Sequence, residues 1–385
     1  MTGSSPKALL GMVKTNPHDH SLYLLKLREF RALAEAAGYR VCGLVVQVRL
    51  KESVNYAFGR GKVEEIKELV RANNVDVFAV YNILTSKQKY NLEKALGVRV
   101  LDRYELTLEI FEKASSDELS KLQIELARLM KLYPYEKLRA AMRYRIGREH
   151  PWLRSSGEYI YHSVVNSLRR RMAKVRDKLE RRKRFRIEQI VKRRRLGSPI
   201  VCIAGYYSSG KTTLFNALTG LDKPVSPKPF TTLSSKYYLI NGFKGLGKDL
   251  FIVDTIGFVH DLDPKMLEAF ELTLNDIRFS DLVLLVVDGS DPEPIMMLRL
   301  STCLEVLESL GVEDERVVVA LNKIDLVNGD ELAERLKLVA NRVNPAPVIP
   351  ISARKGLNLD LLMESIFSRL RSALSSQLTL KTSLP

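Results

Sequence analysis

The stretch GYYSSGKTT, Gly205 to Thr213, restricts the possible folds of this chain more than any other. It follows an apolar run, PIVCIA, that reads as a buried strand, and it leads into TTLFNALTG, which opens a helix. A loop at that junction has to turn sharply. Gly205 and Gly210 permit the unusual backbone and the close approach that a Cβ would forbid. The backbone from Tyr206 through Tyr207, Ser208 and Ser209 to Thr213 can then cradle phosphates, while Lys211 reaches the outer two and the Thr212 hydroxyl is offered to Mg2+.

Three further strand ends say which nucleotide. LFIVDTIGF carries Asp254, Thr255, Ile256 and Gly257: the carboxylate can hold the magnesium, usually through water, and the Gly257 amide can meet the terminal phosphate. RVVVALNKID sets Asn322, Lys323 and Asp325 where a base would lie. The Asp325 carboxylate can accept from guanine N1–H and the 2-amino group, and adenine has neither donor. VIPISAR brings the backbone of Ser352, Ala353 and Arg354 to the same base. Four such elements at successive strand tips specify GTP. Between them, KPFTTLSSKYYLI reads as a switch with Phe230, Thr231 and Thr232, in which Thr231 or Thr232 closes on the metal and the third phosphate; the plainer reading is a polar loop leading to an edge strand. Lys211, Thr232 and Gly257 are the expected catalytic set.

Apolar runs and helical patterns also alternate ahead of this region. ALLGMV, YRVCGLVVQVRL, VDVFAVY and VRVLD read as strands with helices between them, which predicts a small, mostly parallel α/β domain over 1–115. Within it, FGRGKVEEI places Gly59 and Gly61 before a helix, a tight turn or an anion site. Over 116–196, two apolar seams (Leu119, Leu122, Leu126, Leu129, Tyr133; Leu168, Met172, Val175, Leu179) predict an antiparallel helical hairpin, with Pro134 ending the first helix and a loop over 134–160. A GTPase domain over 197–370 and a tail over 371–385 complete the chain.

Charge is concentrated in the hairpin. Arg169 to Arg195 holds 15 basic and three acidic residues, a net +12 of the chain's +16. A solvated helix face is the ordinary reading of a charge run, but density favours a polyanion, with Arg169, Arg170, Arg171, Arg181, Arg182, Lys183, Arg184, Arg193, Arg194 and Arg195 as RNA contacts. No apolar run is long enough to span a membrane, no secretory signal is read at the N-terminus, and Cys42, Cys202 and Cys303 are too scattered for a disulfide frame. A cytoplasmic monomer is expected.

FGRGKVEEI, LDRYELTLEIF, KLQIELARLMKLYP, PFTTL and DTIGF together resemble the HflX family of ribosome-associated GTPases. That resemblance implies a Ras-like GTPase domain behind the α/β domain and hairpin, binding to the large ribosomal subunit and its rRNA, and a role in ribosome splitting, rescue or biogenesis. It makes Thr232 the likelier metal ligand of the two threonines. It also puts Phe258 where many GTPases carry a water-orienting glutamine, which implies slow intrinsic turnover that a partner accelerates. The sequence departs from the family at Ser208, where an asparagine often supports a potassium ion, and in the hairpin loop, here reduced to SSGEY. The alternative is a non-ribosomal switch that recruits protein effectors or another polyanion.

Overall fold

The structure is a computed structural model and describes residues 5–16, 20–115, 117–148, 154–195, 198–222, 236–240, 249–255, 257–259 and 271–382. The chain divides into two compact units, Met1–Arg182 and Lys183–Pro385.

In the first unit, β1 (Lys7–Lys14), α1 (His20–Ala36), β2 (Arg40–Val48), α2 (Arg60–Ala72), β3 (Val77–Val80), α3 (Ser86–Leu96), β4 (Arg99–Asp102) and α4 (Arg103–Ala114) alternate as the apolar pattern predicts. The four strands form one parallel sheet in the order β2-β1-β3-β4. β3, VFAV, is buried at every position, as a central strand covered on both faces must be. Val63, Ile66 and Val70 line one face of α2 and pack into a core with Leu9, Phe58, Phe78 and Leu92. Capping boxes start α3 at Thr85 and α4 at Asp102.

The hairpin follows as α5 (Glu118–Arg148) and α6 (Arg154–Arg195). Its antiparallel sense shows in its cross-links: Arg169, Arg171 and Arg182, moving forward along α6, meet Tyr133, Glu125 and Glu118, moving back along α5. The expected end of the first helix at Pro134 and the expected loop over 134–160 are both corrected: α5 runs through Pro134, α6 begins at Arg154 so that SSGEY lies within it, and the two helices are separated by 149–153. A proline inside a helix loses one hydrogen bond and crowds a carbonyl, at about 3 kcal/mol. Tertiary contacts on both sides outweigh that cost. Lys131 donates to Asp102 and to the Leu84 carbonyl, Tyr135 donates to Glu93 at 2.5 Å, and Pro134 itself is exposed.

In the second unit, β5 (Ile200–Gly205), α7 (Lys211–Thr219), β6 (Lys236–Ile240), β7 (Leu250–Asp254), α8 (Glu271–Arg278), β8 (Leu282–Asp288), α9 (Glu293–Ser309), β9 (Val317–Asn322), α10 (Gly329–Val343), β10 (Val348–Pro350) and α11 (Leu359–Thr382) build a six-stranded sheet ordered β10-β9-β8-β5-β7-β6. Only β6, at the edge, is antiparallel. The motif-bearing strands are therefore not all successive: β8, a run of seven buried residues, lies between β5 and β9. Among the described residues no helix is long and apolar enough to cross a membrane.

Candidate nucleotide-binding site

The carboxyl ends of β5, β7, β8 and β9 converge, which is where an open parallel sheet offers a crevice. Register fixes the convergence: Gly205 pairs with Val286, and Asp288 pairs with Asn322. The loop that leaves β5 has three residues in the left-handed region, Gly205 at φ +144°, Ser208 at +59° and Gly210 at +99°. A Cβ at Gly205 would strike the Val286 carbonyl, and one at Gly210 would strike the Asn322 amide nitrogen. Both glycines are thus required by space as well as by backbone angle.

Lys211, at the start of α7, is buried, and its ammonium donates to the Tyr206 carbonyl at 2.6 Å. Burial pushes its pKa down to about 8, against the opposing pull of Asp254. A cation held this dry is set to gain strongly from an anion placed beside it. The Thr212 hydroxyl lies 3.4 Å from Asp254 Oδ2, and Asp254 is fully buried. Gly257 closes the same space, since a Cβ there would come within 3.0 Å of both Lys211 Nζ and Tyr207 Cα.

Two of the expected nucleotide contacts are also tied into the protein itself. Thr255 turns inward and donates to the Ile203 carbonyl at 2.7 Å, so its hydroxyl ties β7 to β5. Asn322, expected beside the base, joins two loops: its amide nitrogen donates to the Ser209 carbonyl at 2.8 Å, and its oxygen accepts from the Ala353 amide at 3.0 Å. Asp325 accepts from the Ser352 hydroxyl at 2.7 Å, and that bond, more than any other influence, holds its carboxyl below the ordinary carboxylate range. A carboxylate has lone pairs to spare, so Asp325 retains acceptor capacity. Arg354 is exposed beside it. Phe230, Thr231, Thr232 and Ile256 lie outside the described residues.

Asp288 was missed by the motif reading. It accepts from Lys323 Nζ at 2.5 Å and from the amide and hydroxyl of Ser290, and so orients the lysine of the Asn-Lys-x-Asp element. The signal was present in LVLLVVDGS, an apolar run ending in Asp-Gly like a strand tip. Phe258 is completely buried, with its amide bonded to the Gly205 carbonyl and its carbonyl to the Tyr207 amide, so its ring belongs to the core.

The hairpin arginines divide into two sets. Arg169, Arg171 and Arg182 bind Tyr133, Glu125 and Glu118 of α5, and Arg181 pairs with Asp177 at 2.8 Å. Arg170, Lys174, Arg184 and Phe185 are exposed on the side of α6 away from the buried Val175 and Leu179. Lys183 is half-buried; the side chains of Arg193, Arg194 and Arg195 lie outside the described set.

A glycine loop with a buried lysine, an aspartate at a neighbouring strand tip and a base loop braced from two sides define a P-loop GTPase. Known proteins agree. Residues 200–323 match the family described as 50S ribosome-binding GTPase, and 25–112 match GTP-binding GTPase N-terminal. The GTPase HflX of Thermococcus kodakarensis is 38% identical over 347 residues, covering 89% of this chain and 77% of that one. That of Hyperthermus butylicus is also 38% identical, covering 88% and 90%. A crystal structure of a protein called SsGBP with GDP aligns over 97% of this chain and 99% of its own, at 30% identity and a TM-score of 0.53. The chain belongs to the HflX family of GTPases, and it binds and hydrolyses GTP.

Proposed function

We propose that this GTPase associates with the large ribosomal subunit through rRNA contacts on the outward side of α6, and that bound nucleotide sets the strength of that association. The observation that carries the reading is the exposed stripe of Arg170, Lys174 and Arg184 with Phe185, which is 57% exposed. Cations spaced along a helix neutralise phosphates, and an exposed aromatic residue among them offers a stacking face. The family described as 50S ribosome-binding GTPase supports the choice of polyanion. A protein with this partner works in the cytoplasm.

In the nucleotide site, the loop 205–213 seats the phosphates, Lys211 neutralises the outer two, the Gly257 amide meets the third, and Asp325 reads guanine. The Thr212 hydroxyl and the Asp254 carboxylate are hard oxygen donors close to each other, a set that suits Mg2+, which keeps water and phosphate oxygens as its other ligands. When bound, that ion would neutralise charge on the phosphates. Thr232 completes the metal site on this reading. Phe258 can neither orient water nor move a proton, so unassisted turnover is slow and the partner accelerates it.

The test is co-sedimentation with purified subunits in GTP-analogue and GDP states, comparing the parent with Arg170→Ala/Lys174→Ala/Arg184→Ala. The parent should pellet with large subunits more strongly with the analogue, and the variant should bind weakly with a shallower salt dependence. Binding to neither subunit, or equal binding by the variant, would overturn the proposal in favour of a switch that recruits protein effectors.

A further inference from the structure

The phosphate loop of this chain carries two adjacent tyrosines, and both are buried. Their rings lie 5.2 Å apart, tilted by 35°. Arg299, projecting from α9, covers both: its guanidinium carbon lies 4.9 Å from the Tyr206 ring centre and 5.5 Å from that of Tyr207. Arg299 is itself held, because its Nη1 donates to Asp291 Oδ2 at 2.6 Å and its side chain is only 16% exposed. A guanidinium in such a dry place gains more from aromatic faces than one in water.

What the tyrosines touch gives this stack its meaning. The Tyr206 carbonyl receives Lys211 Nζ, the Tyr207 amide donates to the Phe258 carbonyl, and a Cβ at Gly257 would come within 3.0 Å of Tyr207 Cα. Asp291, which fixes Arg299, also ends the short loop that begins at Asp288, which fixes Lys323. The Gly289 carbonyl between them is pinned by Arg335. One loop, 288–291, thus orients a cation over the phosphate side of the site and another on the base side.

We propose that Arg299 is a positioning residue for GTP: clamped by Asp291, it holds Tyr206 and Tyr207, and through them the phosphate loop, in the shape that receives nucleotide. The inference rests on the seating of phosphates at 205–213, and the two fail differently. Normal GTP binding by Lys211→Ala would refute the seating whatever Arg299 does.

The experiment measures release of a fluorescent GDP analogue, together with KM, kcat and melting temperature, for the full chain. Arg299→Met keeps length and apolar packing but removes charge and stacking. It should release nucleotide about tenfold faster and raise KM about as much, with kcat within about threefold. Arg299→Lys, which restores the cation, should recover at least part of both. Tyr206→Leu should mimic Arg299→Met, and the double variant should add little to either. Release and KM unchanged in a folded Arg299→Met would overturn the proposal, as would a fall in kcat with release unchanged. If Arg299→Lys releases as fast as Arg299→Met, the clamp by charge is refuted and Arg299 is only a packing residue. Should Arg299→Met fail to fold, Asp291→Asn loosens the same clamp, and unchanged release there overturns the proposal equally.

Discussion

Each unit of this protein has a glycine-containing turn between a sheet and a helix, and the two turns are built for different work. In the first, FGRGKVEEI, Gly59 sits at φ −73°, an angle any residue adopts, and its amide donates to the Gln47 side chain at 2.9 Å. Gly61, expected ahead of the helix, lies inside α2 (Arg60–Ala72), with open space where a Cβ would go. In the second, GYYSSGKTT, three residues adopt left-handed angles, both glycines are needed by sterics, and a buried lysine follows. Glycines ahead of a helix therefore do not define a phosphate site. What sets the second turn apart is the buried lysine that follows it, whereas in the first turn the Gly59 amide is bonded to the protein's own Gln47.

The sharpest way to break this comparison is Lys211→Ala, which should lower kcat/KM for GTP by about a hundredfold or more, since a buried phosphate loses its cation as charge develops in the transition state. Steady-state GTPase assays near the parent rate would put the two turns on the same footing. Next comes Phe258→Ala, which should destabilise the second unit by about 3–5 kcal/mol, because a fully buried ring is removed from beneath the loop. Denaturant unfolding checks this, and the better packed Phe258→Leu should keep single-turnover hydrolysis near the parent rate. Asp325→Asn should weaken GTP by about tenfold to a hundredfold and improve binding of xanthosine triphosphate, as read by competition. The smallest effect belongs to the first turn. Gly61→Ala should leave GTP turnover unchanged and move stability by less than about 1 kcal/mol, seen as a small shift in thermal unfolding. A large loss of nucleotide affinity there would restore the anion-site reading of FGRGKVEEI.

Within the hairpin a related contrast separates arginines that bond to α5 from those on the opposite side of α6. Sequence periodicity located the seam correctly at Val175 and Leu179, while charge density carries no sign that Arg169, Arg171 and Arg182 bond to α5. Their partners Tyr133, Glu125 and Glu118 are distant in the chain and become neighbours only once the helices pair. Pro134 misled for a related reason. Its local preference is against a helix, and the ties at Lys131 and Tyr135 that override it involve Asp102 and Glu93 of other elements.

The sequence by itself determined the alternation of strands and helices, the phosphate loop, the Asp-x-x-Gly and Asn-Lys-x-Asp elements and the family. These are local patterns, set by chain neighbours and by the backbone angles that single residues allow. Only the tertiary structure decided that Asn322 braces two loops, that Asp288 and Asp291 orient Lys323 and Arg299, that Phe258 belongs to the core, and which hairpin arginines face outward. Apart from the Asp291–Arg299 pair, which spans only eight residues, each of these depends on the strand order β9-β8-β5-β7 or on the pairing of α5 with α6. Hydrogen bonds and ion pairs act over about 3 Å, so they join whatever residues the fold brings together, however far apart those residues lie in the chain.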